Sequence, residues 1–259
     1  MKLALEVVGL KKSFGGLAAV KGVDFTVNAG EAVALIGPNG AGKTTTFNLI
    51  NGQLQPDAGR VNLHGVDITG RSPDALFRMG VARTFQITAT FASMTVQENV
   101  QMALMSHQRA ATSLFARAHR MFADQARDLL QQLGLADQAN RAAAELAYGD
   151  LKRLELAMAF ANAPTLLLMD EPTAGMAPAE RDALMRLAVN ACRERDVALL
   201  FTEHDMDVVF GFADRVIVMN RGRVIAQGAP DEVRVNEEVR EVYLGGVVID
   251  AAQTRAAHA

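Results

Sequence analysis

The chain of 259 residues carries a single cysteine, Cys192. No disulfide can close within it, which fits a reducing cytosol, and a lone cysteine in a helical-looking segment reads as a small buried apolar residue. There is no basic excess: 26 Lys and Arg face 29 Asp and Glu, for a formal net charge of −3. The global positive field expected of a nucleic-acid binder is missing, so no nucleic-acid partner is expected. No apolar stretch is long enough to cross a bilayer, and the longest runs, such as Thr165–Met169, have the length of a strand. The opening Met1-Lys2-Leu3-Ala4-Leu5-Glu6 is interrupted by Glu6 and lacks the uncharged run of a signal peptide. Any membrane role is therefore expected to act through a partner. No Cys/His spacing points to zinc, and His64, His107, His119 and His258 read as surface or packing residues. No internal repeat is visible.

What is present is an ordinary globular composition, 50% hydrophobic and 21% charged. Short apolar runs at Val33–Ile36, Thr165–Met169, Val197–Phe201 and Arg215–Met219 read as strands. They alternate with helical patterns at Gly42–Ile50, Pro178–Arg195 and Asp205–Phe210, an order that predicts parallel strands with helical crossovers. Leu3–Val8, Val23–Val27 and Arg60–His64 are short, alternating and bounded by Gly or Asn, and predict an antiparallel β layer beside that core. From about Thr95 to Leu133 no strand-like run appears, and Leu129, Leu130 and Leu133 form an amphipathic stripe stopped by Gly134. This insert is expected to form a helical lobe, spanning about 95–160. The small, polar end, 246–259, reads as a flexible tail.

The strongest signal for chemistry is Gly37-Pro38-Asn39-Gly40-Ala41-Gly42-Lys43-Thr44, between an apolar run and a helical segment. Strand, glycine loop and helix start are the parts of a phosphate-binding P-loop. Glycines let backbone N–H groups turn inward, and the helix N-terminus adds positive potential. Lys43 would reach the β- and γ-phosphates of ATP, and the Thr44 hydroxyl would ligate Mg²⁺. The second signal is Leu166-Leu167-Leu168-Met169-Asp170-Glu171, a buried strand that delivers two carboxylates at its C-terminal end, where α/β ligand sites lie. Asp170 suits the Mg²⁺ shell and Glu171 suits a base for the attacking water. The two acids could instead cap a following helix, but Pro172 predicts an immediate turn. Together these residues describe a P-loop NTPase.

Upstream of the acidic strand, Leu146-Ala147-Tyr148-Gly149-Asp150 opens another amphipathic segment. It resembles the Leu-Ser-Gly-Gly-Gln signature of ATP-binding cassette (ABC) ATPases, with Ala147 for Ser, Tyr148 for the first Gly and Asp150 for Gln. The resemblance covers Met1 to about Gly245 and implies a single α/β domain, 1–245. That domain would combine a P-loop core on a parallel sheet, an N-terminal antiparallel layer and an inserted helical lobe. It implies that Tyr148, Gly149 and Asp150 meet the ATP held by a second ATPase subunit. It further implies that Gln86, in Arg83-Thr84-Phe85-Gln86, touches Mg²⁺ or the attacking water. His204, in Thr202-Glu203-His204-Asp205, would contact the γ-phosphate, Phe14 would stack on adenine, and Thr45 would join Thr44 at the nucleotide. One departure stands out: after Glu171-Pro172-Thr173 the family runs Ser-Ala-Leu-Asp, whereas this chain has Ala174-Gly175-Met176-Ala177. Ala177 cannot make the polar contact between subunits.

Several stretches are similar to the ATPases of branched-chain (hydrophobic) amino acid importers: Phe14-Gly15-Gly16-Leu17, Thr45–Ile50, Ala82–Gln86, Tyr148-Gly149, Glu203–Asp207 and Glu241–Gly245. The resemblance implies an ATPase, as a homo- or heterodimer, on the cytoplasmic face of the inner membrane. Its partners would be two transmembrane permease subunits and, indirectly, a periplasmic solute-binding protein. A cassette for lipid or lipopolysaccharide export, a soluble ABC protein of DNA repair or translation, and a P-loop kinase are the competing readings.

Overall fold

The computed structural model describes residues 2–84, 90–107 and 122–242. The expected tail, Gln86 and part of the expected helical lobe, 108–121, lie outside them, as do His119, His258 and Tyr243–Gly245.

The predicted antiparallel layer is formed by β1 (Leu3–Phe14), β2 (Leu17–Asn28), β4 (Ala58–Leu63) and β5 (Val66–Asp67), ordered β2-β1-β4-β5. β1 runs past Val8, where Gly9 marks an interruption in the sequence. At Gly9 the strand bulges rather than ends: the register shifts between Val7 and Leu10, and the Gly9 N–H donates to Asp24 Oδ1 at 2.7 Å. A single residue thus re-aims the strand and keeps Leu5, Val7 and Leu10 in the core.

The second sheet contains β3 (Ala32–Ile36), β6 (Val81–Thr84), β7 (Leu166–Asp170), β8 (Ala198–Thr202), β9 (Arg215–Asn220) and β10 (Arg223–Gly228). Their order is β10-β9-β3-β8-β7-β6, parallel except for β10, which returns antiparallel on β9. Arg221 and Gly222, with φ of 46° and 83°, supply the turn that joins them. Both faces of this sheet are covered. Val33 and Leu35 of β3 and Leu166 and Leu168 of β7 pack toward the antiparallel layer and α1 (Lys43–Ile50). The alternate residues, Ala34, Ile36, Leu167 and Met169, face the helices on the other side. Burial on both faces is why these strands read as continuous apolar runs.

After α2 (Pro73–Arg78), the lobe helices are α3 (Val96–His107), α4 (Ala123–Gln132) and α5 (Tyr148–Ala161). α3 starts with a capping box: Glu98 N donates to Thr95 Oγ1 at 3.2 Å, and Thr95 N donates to Glu98 Oε2 at 2.7 Å. Val100 and Leu104 of α3, Leu129 and Leu130 of α4 and Leu154 of α5 close the lobe's core. The chain continues through α6 (Pro178–Glu194), α7 (Met206–Phe212), α8 (Pro230–Val235) and α9 (Glu237–Val242). Cys192 is buried in α6 as the sequence implied. No described helix is long and apolar enough to cross a membrane.

Candidate functional site

β3 and β7 lie on either side of β8, so three strand ends meet at one edge of the sheet. β3 leads into the glycine loop, β7 ends at Asp170 and β8 ends at Thr202, followed by Glu203 and His204.

The loop from Gly37 to Gly42 is pressed against the rest of the core. At Gly37, φ is 151° and an added Cβ would stand 2.2 Å from the Met219 carbonyl oxygen. At Gly42, φ is 101° and the corresponding atom would stand 2.6 Å from the Ala19 oxygen. Neither position admits a side chain, and the approach of β2 and β9 sets the loop's path. Asn39, Gly40 and Thr44 are exposed, Pro38 and Thr45 are partly covered and Ala41 is buried. The outer rim is thereby left open to a ligand. Lys43 is only 8% exposed. Its Nζ bridges the loop, donating to Gly37 O at 2.6 Å and Pro38 O at 3.3 Å. Burial lowers its pKa, while the nearby Glu171 and Asp170 carboxylates act in the opposite direction.

Each carboxylate of the pair has a distinct setting. Asp170 Oδ1 accepts from the Thr202 hydroxyl at 2.7 Å, and Oδ2 accepts from Arg83 Nη2 at 2.9 Å. Glu171 follows with φ of 48°, outside the right-handed helical region that the succeeding Pro172 disfavours. Its N–H is held by Thr202, at 3.1 Å from both the carbonyl and the hydroxyl oxygen. Its Oε1 lies 2.8 Å from His204 Nε2. The predicted turn after Glu171 is present, and α6 begins only at Pro178. Buried Glu203 clamps that turn, accepting from Thr173 N at 2.9 Å and Thr173 Oγ1 at 2.6 Å. Asp205 caps α7 and pairs with Arg181, anchoring the chain just beyond His204.

The signature segment is the N-terminus of α5. Ala147 sits at the N-cap with no side-chain bond, so no side chain occupies the first turn's N–H groups as a cap. Gly149 is buried, with its missing Cβ 3.4 Å from Glu180 Oε1. Asp150 pairs with Arg153 at 3.4 Å. The Tyr148 hydroxyl donates to Ala174 O at 3.2 Å, which ties this helix to the turn after Glu171. Phe14 ends β1 with 46% exposure, its ring beneath the Lys12 ammonium at 5.7 Å.

The structure thus gathers Lys43, Asp170, Glu171 and His204, and ties Tyr148 to the same turn, with Gly149 and Asp150 following it in the first turn of α5. Gln86 falls outside the described residues. Arg83, Thr202 and Glu203 lie within the sequence motifs and join this site only in the fold. The sequence signal for them was weak: a Thr at a strand end and a Glu beside a His are ordinary, and an Arg three residues before Gln86 shows nothing of what it reaches.

A family model described as ABC transporter matches residues 20–174. The chain belongs to the ABC transporter family. It is an ABC ATPase, an ATP-binding and ATP-hydrolysing cassette on a mixed α/β fold. A second model, described as branched-chain amino acid ATP-binding cassette transporter, matches residues 223–249 of the cassette. The cassette is 41% identical over 248 residues to the high-affinity branched-chain amino acid transport ATP-binding protein BraF of Pseudomonas aeruginosa, covering 93% of this chain and 97% of that one. It is 41% identical over 250 residues to LivG of Escherichia coli, of the same description, with the same coverage. Among solved structures it resembles an ATP-binding cassette of an ABC transporter in an ADP conformation, with a TM-score of 0.82 and 31% identity over 95% of this chain and 100% of that one. A dimeric cassette in a post-hydrolysis state bound to ADP and Pi aligns with a TM-score of 0.72 and 26% identity over 87% of this chain and 98% of that one.

Proposed function

We propose that the cassette powers the uptake of branched-chain or related amino acids, as one of two ATPases in an importer. The observation that carries the chemical half of this reading is the meeting of Lys43, Asp170, Glu171 and His204 at three adjacent strand ends. The substrate half rests on the likeness to BraF and LivG and on the match at 223–249.

ATP is read as bound along Gly37–Thr45, with Phe14 against the base and Lys43 turned from the Gly37 and Pro38 carbonyls toward the phosphates. Among the described residues no group of three or more His, Cys, Asp or Glu forms a metal cage. That fits Mg²⁺, which is commonly held by one or two protein oxygens, water and substrate phosphates. Thr44 and Asp170 are the donors in this reading, with Gln86 assigned by resemblance; each Asp170 oxygen keeps a further lone pair beyond its hydrogen bond. An ion held there would supply positive charge against that developing on the phosphates. Glu171 accepts a proton from the attacking water, and His204, at 2.8 Å, orients Glu171 and faces the γ-phosphate. Tyr148, Gly149 and Asp150 present the α5 N-terminus to ATP held by a second cassette, whether an identical chain or a different one.

The cassette is placed at the cytoplasmic face of the inner membrane, bound to two transmembrane permease subunits and served indirectly by a periplasmic solute-binding protein. Nucleic acid has no part in this reading. Uptake of labelled branched-chain amino acids, other amino acids and short amides in a deletion strain tests it. Wild type should restore branched-chain uptake and Glu171→Gln should not. Uptake that survives the deletion intact, or restoration by Glu171→Gln, would defeat the proposal.

A further inference from the structure

We infer that Arg83 is a positioning residue for the metal-facing carboxylate: it holds Asp170 in the orientation in which the carboxylate receives Mg²⁺ with ATP. The inference rests on the reading of Asp170 given above.

Arg83 stands on β6, the strand that pairs with β7. Its guanidinium spans three structural units. Nη1 donates to Asn48 Oδ1 on α1 at 2.8 Å and to Gln53 Oε1 beyond that helix at 3.0 Å, while Nη2 donates to Asp170 Oδ2 at 2.9 Å. Arg83 and Asp170 side chains are only 14% and 13% exposed, so the pair is shielded from solvent. A planar fork fixed at Asn48 and Gln53 presents its other nitrogen in a set direction, and this geometry is unavailable to an ammonium. The opposite oxygen is set independently: buried Thr202 donates to Oδ1 at 2.7 Å and itself accepts the Glu171 N–H at 3.1 Å. The carboxylate is therefore gripped at both oxygens, by a cation tied to the P-loop helix and by a hydroxyl tied to Glu171.

Two effects of Arg83 on a metal oppose each other. Its positive charge repels a divalent cation, while the orientation it imposes removes the cost of ordering Asp170. A free carboxylate on a strand end could rotate away or turn toward Lys43. Partners that hydrogen-bond a ligating carboxylate typically contribute about 10- to 100-fold to metal affinity. We assign the larger effect to orientation, because two of the four contacts fixing the carboxylate's surroundings, at Asn48 and Gln53, hold the guanidinium in place rather than touch Asp170.

The test measures binding rather than turnover. ATP affinity is determined by calorimetry with Mg²⁺ and with chelator, and Mn²⁺ bound with ATP is followed by electron paramagnetic resonance. The proteins are wild type, Arg83→Gln, Arg83→Lys and Asp170→Asn. Arg83→Gln is expected to keep the metal-free ATP affinity, to lose about 10-fold or more of the metal-dependent gain, and to broaden the Mn²⁺ spectrum. Arg83→Lys should recover only part of the loss. Retained metal-free binding rules out a general failure to fold. If Arg83→Gln keeps or increases the metal-dependent gain while Asp170→Asn loses it, repulsion outweighs positioning and the inference is overturned. If Asp170→Asn also keeps the gain, Asp170 does not face the metal and the inference falls with that assignment.

Discussion

His204 Nε2 lies 2.8 Å from Glu171 Oε1, joining the residues that follow two neighbouring strands. The contact is held from behind: Thr202 fixes the Glu171 backbone, and Glu203 clamps Thr173 across the same turn. Glu171 and His204 are thus set by anchors next to each of them.

Glu171→Gln keeps the side chain's shape and a hydrogen bond to His204 but removes the proton acceptor. Turnover is expected to fall about 10²- to 10⁴-fold while ATP still binds. The variant should accumulate as a dimer in ATP, read by light scattering. Normal hydrolysis by Glu171→Gln alongside an inert Asp170→Asn would exchange their roles.

Lys43→Ala removes the cation that the glycine loop encloses. Loss of one preorganised donor at a developing anion costs about 10²- to 10³-fold in turnover, and nucleotide affinity should fall as well. Fluorescent-nucleotide titration and phosphate release measure both. Near wild-type turnover would remove the loop from the active site.

Gly149→Asp places a carboxylate at the buried start of α5, which in the proposed dimer would meet the phosphate held by the opposite cassette. The missing Cβ lies 3.4 Å from Glu180 Oε1, so the new carboxylate also meets a like charge. Monomeric ATP binding is expected to stay unchanged. Closure and turnover should drop at least about 100-fold, the order produced by a like charge within about 4 Å of a phosphate. Loss of ATP binding by the isolated monomer would instead assign Gly149 to its own site.

Burial pushes the Cys192 thiol from its ordinary 9.0 up to about 12. The folded chain should resist a thiol reagent at pH 8 and react once denatured. Because the folded pKa is the higher one, the stabilisation is fully present below pH 9.0 and is lost as pH rises toward about 12. Denaturant midpoints across that window, compared with Cys192→Ala, measure it. Rapid labelling of the native protein would contradict this burial.

Much of this cassette was legible in the chain. Asp170 and Glu171 end and follow one apolar run, Lys43 closes the glycine loop after another, and His204 comes two residues beyond a third; such runs are recognisable because a strand buried on both faces needs apolar residues throughout. The glycine loop is equally local, since a tight path past Ala19 and Met219 excludes side chains. β6 and β10 were not predicted: Val81-Ala82-Arg83-Thr84 is short and mixed, and half-buried Val224-Ile225-Ala226 lacks a clear period. Such strands are made by their neighbours rather than by their own pattern.

The sequence by itself determined the P-loop, the acidic pair and the order of the motifs, because each is a run of contiguous residues with its own chemistry. Tertiary structure decided who holds whom. Arg83 reaches Asp170 across 87 positions, Thr202 reaches it across 32, and Tyr148 reaches Ala174 across 26. Those separations close only when β6, β7 and β8 lie side by side and α5 docks against the turn. Hydrogen bonds act over about 3 Å, so no spacing along the chain encodes them; packing the apolar faces of the sheet brings the partners into range.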